Sequence, residues 1–115
     1  MPHISTIPVA LVTENIKNYG VSTANVHCMT YGHICLINFW FGLKDSMSPW
    51  GVKNIATGVP TPCGSDVAYS CRPVISDGSG DVQVTVDYNG NLQVHCQAQA
   101  ATVNWAMGTL VYFIS

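Results

Sequence analysis

Along residues 81–96 apolar and polar side chains alternate with a period of two on both sides of an Asn89-Gly90 step. Val82, Val84, Val86 and Tyr88 form one series and Leu92, Val94 and Cys96 the other, so each arm offers an apolar face and a polar face. Asn89 and Gly90 both tolerate positive φ, which predicts a β-hairpin closed by a tight type I′ turn. A hairpin alone is marginal in water, so other strands must cover its apolar face.

The rest of the chain supplies candidates. Residues 7–16 carry Val9 and Leu11, with Pro8 near the start, and predict one first or edge strand. Turn-forming residues occupy 15–20, and alternation resumes over 21–29 before Tyr31-Gly32 closes it. The run 33–41, the most apolar in the chain, is bounded by Gly32 and Gly42. It predicts a central strand, one face toward the core and the other toward a second sheet, a loop or a neighbouring subunit. Residues 44–50 form a loop interrupted by Pro49, followed by a short element around 50–56. Pro60 and Pro62 make 57–64 an ordered crossing loop, since each withdraws a backbone donor and fixes φ. A strand over 67–75 follows, with Pro73 marking an edge or bulge, and 77–80 turn into the hairpin. Residues 98–102 fit a short helical turn or a loop, and 107–114 a final strand.

Seven or eight strands with closely spaced turn signals predict an all-β fold, an antiparallel β-sandwich of jelly-roll type, as one domain over 1–115. No segment sustains a helical apolar period, so a parallel β/α architecture lacks its crossover helices. The reading leaves open that a longer natural protein precedes residue 1.

Composition sharpens this picture. Hydrophobic residues make up 48% of the 115 and charged residues only 9%, well below the roughly 25% of an ordinary soluble chain. Polarity comes instead from Ser, Thr, Asn, Gln and Gly, which suits exposed strand faces and excludes disorder. So few charges also point to a subunit surface buried in an oligomer. With a net charge of −2 and only Lys17, Lys44, Lys53 and Arg72 as strong bases, there is no basic stripe for nucleic acid. No apolar run approaches the roughly 18 residues of a membrane span, and Met1-Pro2-His3 does not open a secretory signal, so no membrane insertion is expected.

Cys28, Cys35, Cys63, Cys71 and Cys96 are an odd set without regular spacing, which does not indicate a disulfide framework. Cys35 and Cys96 lie in strand-like runs where a thiol serves as a small apolar group, consistent with assembly in a reducing cytoplasm. Pairing of Cys63 with Cys71 stays open.

Candidate chemistry is sparse. His27-Cys28, His33-x-Cys35 and His95-Cys96 carry zinc-ligating types, but adjacent strand residues point to opposite faces, so no metal site is expected. Nucleophile motifs are absent, and Asp66, Asp77, Asp81 and Asp87 suit turns and polar strand faces better than a glycosidase pair. Residues 77–81 lack the distal ligands of a calcium loop. No catalytic residue and no cofactor is therefore assigned. An exposed indole can stack on a sugar ring while neighbouring amides bind hydroxyls. Trp40 sits in the most apolar strand and is expected to pack, whereas Trp50 with Asn54, and Trp105 with Asn104, are the candidate ligand-binding residues.

Three features occur in order: Trp50-Gly51-Val52-Lys53-Asn54-Ile55-Ala56-Thr57-Gly58-Val59-Pro60-Thr61-Pro62, then the hairpin with Asn89-Gly90-Asn91-Leu92, then Trp105-x-x-Gly108-x-x-x-Tyr112. This succession resembles the C-terminal head domains of tail-fibre and receptor-binding proteins of phages and prophages. The resemblance implies a β-sandwich head, commonly trimeric at the distal end of a fibre in the virion, which binds a glycan or protein receptor on a bacterial surface without catalysis. The matching positions, Gly58, Pro60, Pro62, Gly90 and Gly108, are structural, so no receptor site transfers. Five cysteines and the lack of a coiled-coil or collagen-like stem depart from the pattern. The alternatives are a stand-alone carbohydrate-binding module and a purely structural virion protein.

Overall fold

A computed structural model describes residues 3–17, 24–64 and 69–115, with the backbone alone for 76–79. Ten strands are described: β1 (Ile4–Ile7), β2 (Ala10–Leu11), β3 (Asn25–Tyr31), β4 (Ile34–Phe41), β5 (Val52–Thr57), β6 (Tyr69–Cys71), β7 (Val74–Ser79), β8 (Val82–Val86), β9 (Asn91–Cys96) and β10 (Thr102–Phe113). They form two antiparallel five-stranded sheets, the first ordered β1-β3-β4-β10-β7 and the second β2-β5-β9-β8-β6. The molecule measures 44 × 34 × 21 Å, its short axis matching two sheets about 10 Å apart plus their outward side chains. The all-β sandwich expected from the sequence is the fold.

The core fills the space between the sheets. Cys35, Ile37, Phe39 and Phe41 alternate inward along β4, and Val82, Val84, Val86, Leu92 and Val94 meet them from β8 and β9, all essentially inaccessible to solvent. Gly108 of β10 lies opposite Phe39 of β4, and a Cβ there would stand 2.9 Å from the Phe39 ring. The bare backbone thus lets that ring lie across β10. Tyr112 is buried beside Tyr69, ring centroids 5.7 Å apart, and its hydroxyl donates to the Pro60 carbonyl at 2.7 Å. That bond satisfies the one polar atom of a large core side chain and anchors the crossing loop 58–64.

The hairpin of β8 and β9 has the expected inward series, but its turn differs. Asp87 N–H donates to the Asn91 carbonyl (3.1 Å) and Gly90 N–H to the Asp87 carbonyl (3.3 Å), leaving three residues in the loop. Gly90 has φ 83 and Asn89 is not in the left-handed region, so a type I turn with a glycine bulge replaces the type I′ turn. Asp87 decides this: its Oδ1 accepts from the N–H groups of Asn89 and Asn91, both at 2.9 Å, and its Oδ2 from Asn91 Nδ2 at 3.1 Å. Tyr88 consequently leaves the apolar series and is exposed. A Cβ on Gly90 would stand 2.8 Å from the Val59 carbonyl, so the crossing loop rests directly on the turn.

Other strand boundaries also differ, and proline explains two of them. The strand expected over 7–16 is split at Pro8 into β1 and β2, which lie in different sheets, and a short 3-10 turn, Thr13–Asn15, follows. The strand expected over 67–75 is broken at Arg72-Pro73 into β6 at the edge of the second sheet and β7 at the edge of the first. Residues 77–79 continue β7, so the turn into the hairpin is confined to Gly80-Asp81. The strand expected over 107–114 begins at Thr102, because β10 continues past two register shifts near Trp105 to pair with β7. Residues 97–101 are a loop. The expected turn at 15–20 and the strand starts at 21 and 67 fall partly on 18–23 and 65–68, outside the described residues.

Candidate functional site

Alternation leaves each sheet with one outward face. On the first sheet the register aligns Tyr31, Ile34 and Phe113 in one row, Met29, Leu36 and Val111 in the next, His27, Asn38 and Thr109 in a third, and Asn25, Trp40, Met107 and Val74 in a fourth. None of these positions is Asp, Glu, Lys or Arg. Phe113 is 60% exposed and Val111 56%, so the half of the face nearest β1 is apolar and open, bordered by the polar row of His27, Asn38 and Thr109. Near β1, Ile4, Met29, Tyr31, Ile34 and Leu36 line a hollow of about 210 Å³.

The outward face of the second sheet is polar. Thr85, Gln93 and Asn54 align across β8, β9 and β5, and Gln83, His95 and Val52 form the adjacent row. Gln93 Nε2 donates to Asn54 Oδ1 at 2.9 Å, while Gln93 Oε1 and His95 Nε2 lie 3.1 Å apart, a continuous line of hydrogen-bonding groups. Beyond the strand ends the pairing continues as Gln97 N–H to the Asp81 carbonyl (3.2 Å) and Trp50 N–H to the Gln97 carbonyl (2.8 Å). Trp50, Gln97 and Asp81 therefore make one further row, and a hollow of about 320 Å³ opens there, lined by Gly80, Asp81, Gln97, Ala98 and Gln99. Asp81 Oδ1 lies 2.7 Å from Arg72 Nη1 on the surface.

The four candidate ligand-binding residues divide between the sheets. Trp50 and Asn54 belong to the second sheet, Trp50 in the turn before β5 and Asn54 within it. Asn104 and Trp105 lie inside β10 of the first sheet rather than in a loop. Trp105 stacks on Trp40, ring centroids 4.1 Å apart, and Asn104 Oδ1 accepts from Lys17 Nζ at 3.0 Å. Trp40 is thus half-buried on the outer face, packed by another indole. Sequence reasoning missed Gln93, His95, Gln97 and Asp81 as neighbours of Trp50 and Asn54. The hairpin register would have placed the first two beside each other on the polar face, but pairing of β9 with β5 is not encoded locally.

Comparison with protein families, with characterised proteins and with solved structures finds no match for this chain.

The residues weighed for zinc are separated by the strand alternation. Cys28 and Cys35 point into the core with their sulfurs 3.5 Å apart, His27 faces outward on the first sheet opposite Asn38, and His95 faces outward on the second. Among the described residues no three His, Cys, Asp or Glu side chains converge. The hydrogen bond with Cys35, then burial, holds the Cys28 thiol well above the usual range, whereas Cys35, the acceptor, is lowered to about 7. Burial, aided by the hydrogen bond with Cys35, likewise raises Tyr112. Cys63 and Cys71 are both free thiols. Asp87 serves the hairpin turn, of Asp77 the backbone alone is described, and Asp66 lies outside the described residues.

Proposed function

We propose that this chain is the non-enzymatic receptor-binding head of a phage tail fibre or tail tip, a homotrimer in the virion that recognises a glycan or protein on the bacterial surface. The observation that supports this reading is the contrast between the outward faces, one without Asp, Glu, Lys or Arg and apolar in the two rows nearest β1 (Tyr31, Ile34, Phe113 and Met29, Leu36, Val111), the other mainly a sheet of amide, hydroxyl and imidazole groups. Copies that bury the apolar face against one another remove the large exposed hydrophobic surface that a soluble monomer rarely carries. They then present the polar faces together, so weak contacts with one cell surface add up through effective concentration. The resemblance in the Trp50 segment, the hairpin and the Gly108 strand agrees with this arrangement.

Light scattering coupled to size exclusion, at several concentrations with and without reductant, tests the assembly, and retention on bacterial cells tests recognition. The expected mass is three times the 12.4 kDa of one chain, unaffected by reductant. Trp50, 68% exposed, favours a second reading as a stand-alone carbohydrate-binding module, which a sugar-binding monomer would select. A stable oligomer that binds neither cells nor glycans would instead identify a structural virion protein.

A further inference from the structure

We infer that the row Trp50, Gln97 and Asp81 at the end of the second sheet is a binding site for one ring of a neutral hexopyranose. The inference rests on the receptor-binding reading and deepens it, by giving the receptor a chemical class and a place on the fold.

The first observation is a strained tryptophan. Gly51 N–H donates to the Ser48 carbonyl at 2.9 Å, closing the four-residue turn Ser48-Pro49-Trp50-Gly51 with proline at its second position. Its third position is Trp50 at φ 61, the sole positive-φ residue other than glycine among the described residues. A turn of this form takes Gly or Asn there, because a bulky side chain is strained in the left-handed region. Burial does not offset the strain, since the indole is 68% exposed. Neither packing nor turn chemistry accounts for tryptophan at this position. A flat apolar surface held out for a ligand does.

The second observation is what stands beside it. The hollow one step from Trp50 in the sheet register is lined by Gly80, Asp81, Gln97, Ala98 and Gln99, three of which carry carboxylate or amide groups. Its walls are fixed in advance: Gln97 bonds both to Trp50 and to Asp81 through the backbone, Cys96 Sγ donates to the Gln99 carbonyl at 2.7 Å, and Met47 and Ala101 exchange two backbone bonds at the loop's end. A pyranose presents the matching pair of surfaces, a C–H face for the indole and equatorial hydroxyls for carboxylate and amide oxygens. Preorganised walls lower the ordering cost of such a contact.

The third observation sets the charge of the ligand. Arg72 pairs with Asp81 at 2.7 Å, so the one carboxylate lining the hollow is balanced by a guanidinium. A neutral sugar fits that balance, and an anionic one gains nothing from it.

Saturation-transfer NMR on the purified protein tests the site, with methyl α-D-glucopyranoside, methyl β-D-galactopyranoside and N-acetylglucosamine as neutral probes and N-acetylneuraminic acid as the anionic one. Ring-proton saturation is expected for at least one neutral probe and not for the anionic one. Trp50→Asn should abolish that signal and, by relieving the strained turn, raise the melting temperature by about 4 °C. Asp81→Asn should weaken binding roughly tenfold with the fold intact, as for loss of a hydrogen bond to a charged acceptor. Retained saturation in Trp50→Asn, a lower melting temperature for that variant, or binding of the anionic probe alone would each overturn the site. If no neutral probe binds while the protein still adheres to bacterial cells, the sugar site falls and the receptor-binding reading stands. Loss of both would remove the two together.

Discussion

The outward faces of the two sheets are made by the same device, period-two alternation over strands of similar length, and they carry opposite chemistry. On β4 the outward series is Ile34, Leu36, Asn38 and Trp40, while on β9 it is Asn91, Gln93 and His95. The inward series of the two strands are interchangeable in kind, all apolar and all inaccessible to solvent. The core thus says little about what this protein is for. The difference lies in the residues that stability leaves free, and an apolar outward face on a central strand costs solubility unless something covers it.

Several experiments would break or sharpen that contrast. Truncating the shared core should erase both faces at once: Phe39→Ala should cost about 3–5 kcal/mol in urea or thermal unfolding, with assembly and ligand binding lost together. Val111→Glu, on the face proposed as the subunit contact, should convert the proposed oligomer to monomer in light scattering by placing an unpaired carboxylate there. Thr85→Glu, on the polar face, should leave mass unchanged and move stability by no more than about 0.5 kcal/mol. Equal effects from these two substitutions would dissolve the distinction between the faces.

A titration probes the core behind the apolar face. Cys28 and Tyr112 have folded-state pKa values above their unfolded ones, so the folded state holds protons that the unfolded chain releases. The stabilisation is complete below the unfolded values and declines above them. Cys35, lowered to about 7, adds stability as pH rises to about 8.5 and is neutral in this respect above it. Melts between pH 9 and 11 should therefore show stability falling by up to about 1.4 kcal/mol per pH unit for each raised group, first for the Cys28 thiol, then for the phenol above about pH 10. Cys28→Ser or Tyr112→Phe should flatten its own portion of that decline. The most local effect belongs to the hairpin turn: Asp87→Ala, which forfeits the three bonds around Asn89 and Asn91, should cost about 1–2 kcal/mol by denaturant midpoint. Mass and ligand binding should not change.

Much of the fold was legible because side chains repeat every second residue whatever their partners. The inward valines of β8 and the apolar run of β4 follow from that alone. Prolines were harder to read: Pro8 and Pro73 looked like blemishes within single strands, whereas each marks a crossing from one sheet to the other. The hairpin turn went astray because Asn89-Gly90 matches a two-residue turn in isolation, while the carboxylate of Asp87, two residues before Asn89, captures the backbone N–H groups and lengthens the loop. Of the candidate site, Trp50 and Asn54 stand on the same sheet as expected from their nearness in sequence. Gln97 and Asp81 reach that neighbourhood only through pairings between strands some forty residues apart, and Trp105 is claimed by Trp40 through a β-bulge that no local pattern announces.

The place of β10 bears on how the protein is made. β10, made after all its neighbours in the sheet, sits between β4 and β7, so until residues 102–113 emerge the nascent chain holds two open strand edges where the finished sheet has a filled slot. The Ile34–Phe41 strand, with so few charges nearby to discourage pairing, waits through that interval as a template for any other chain. Synthesis of several copies on one message would bring such templates close together, and chaperone capture during translation should concentrate on the stretch between the completion of β4 and the arrival of β10.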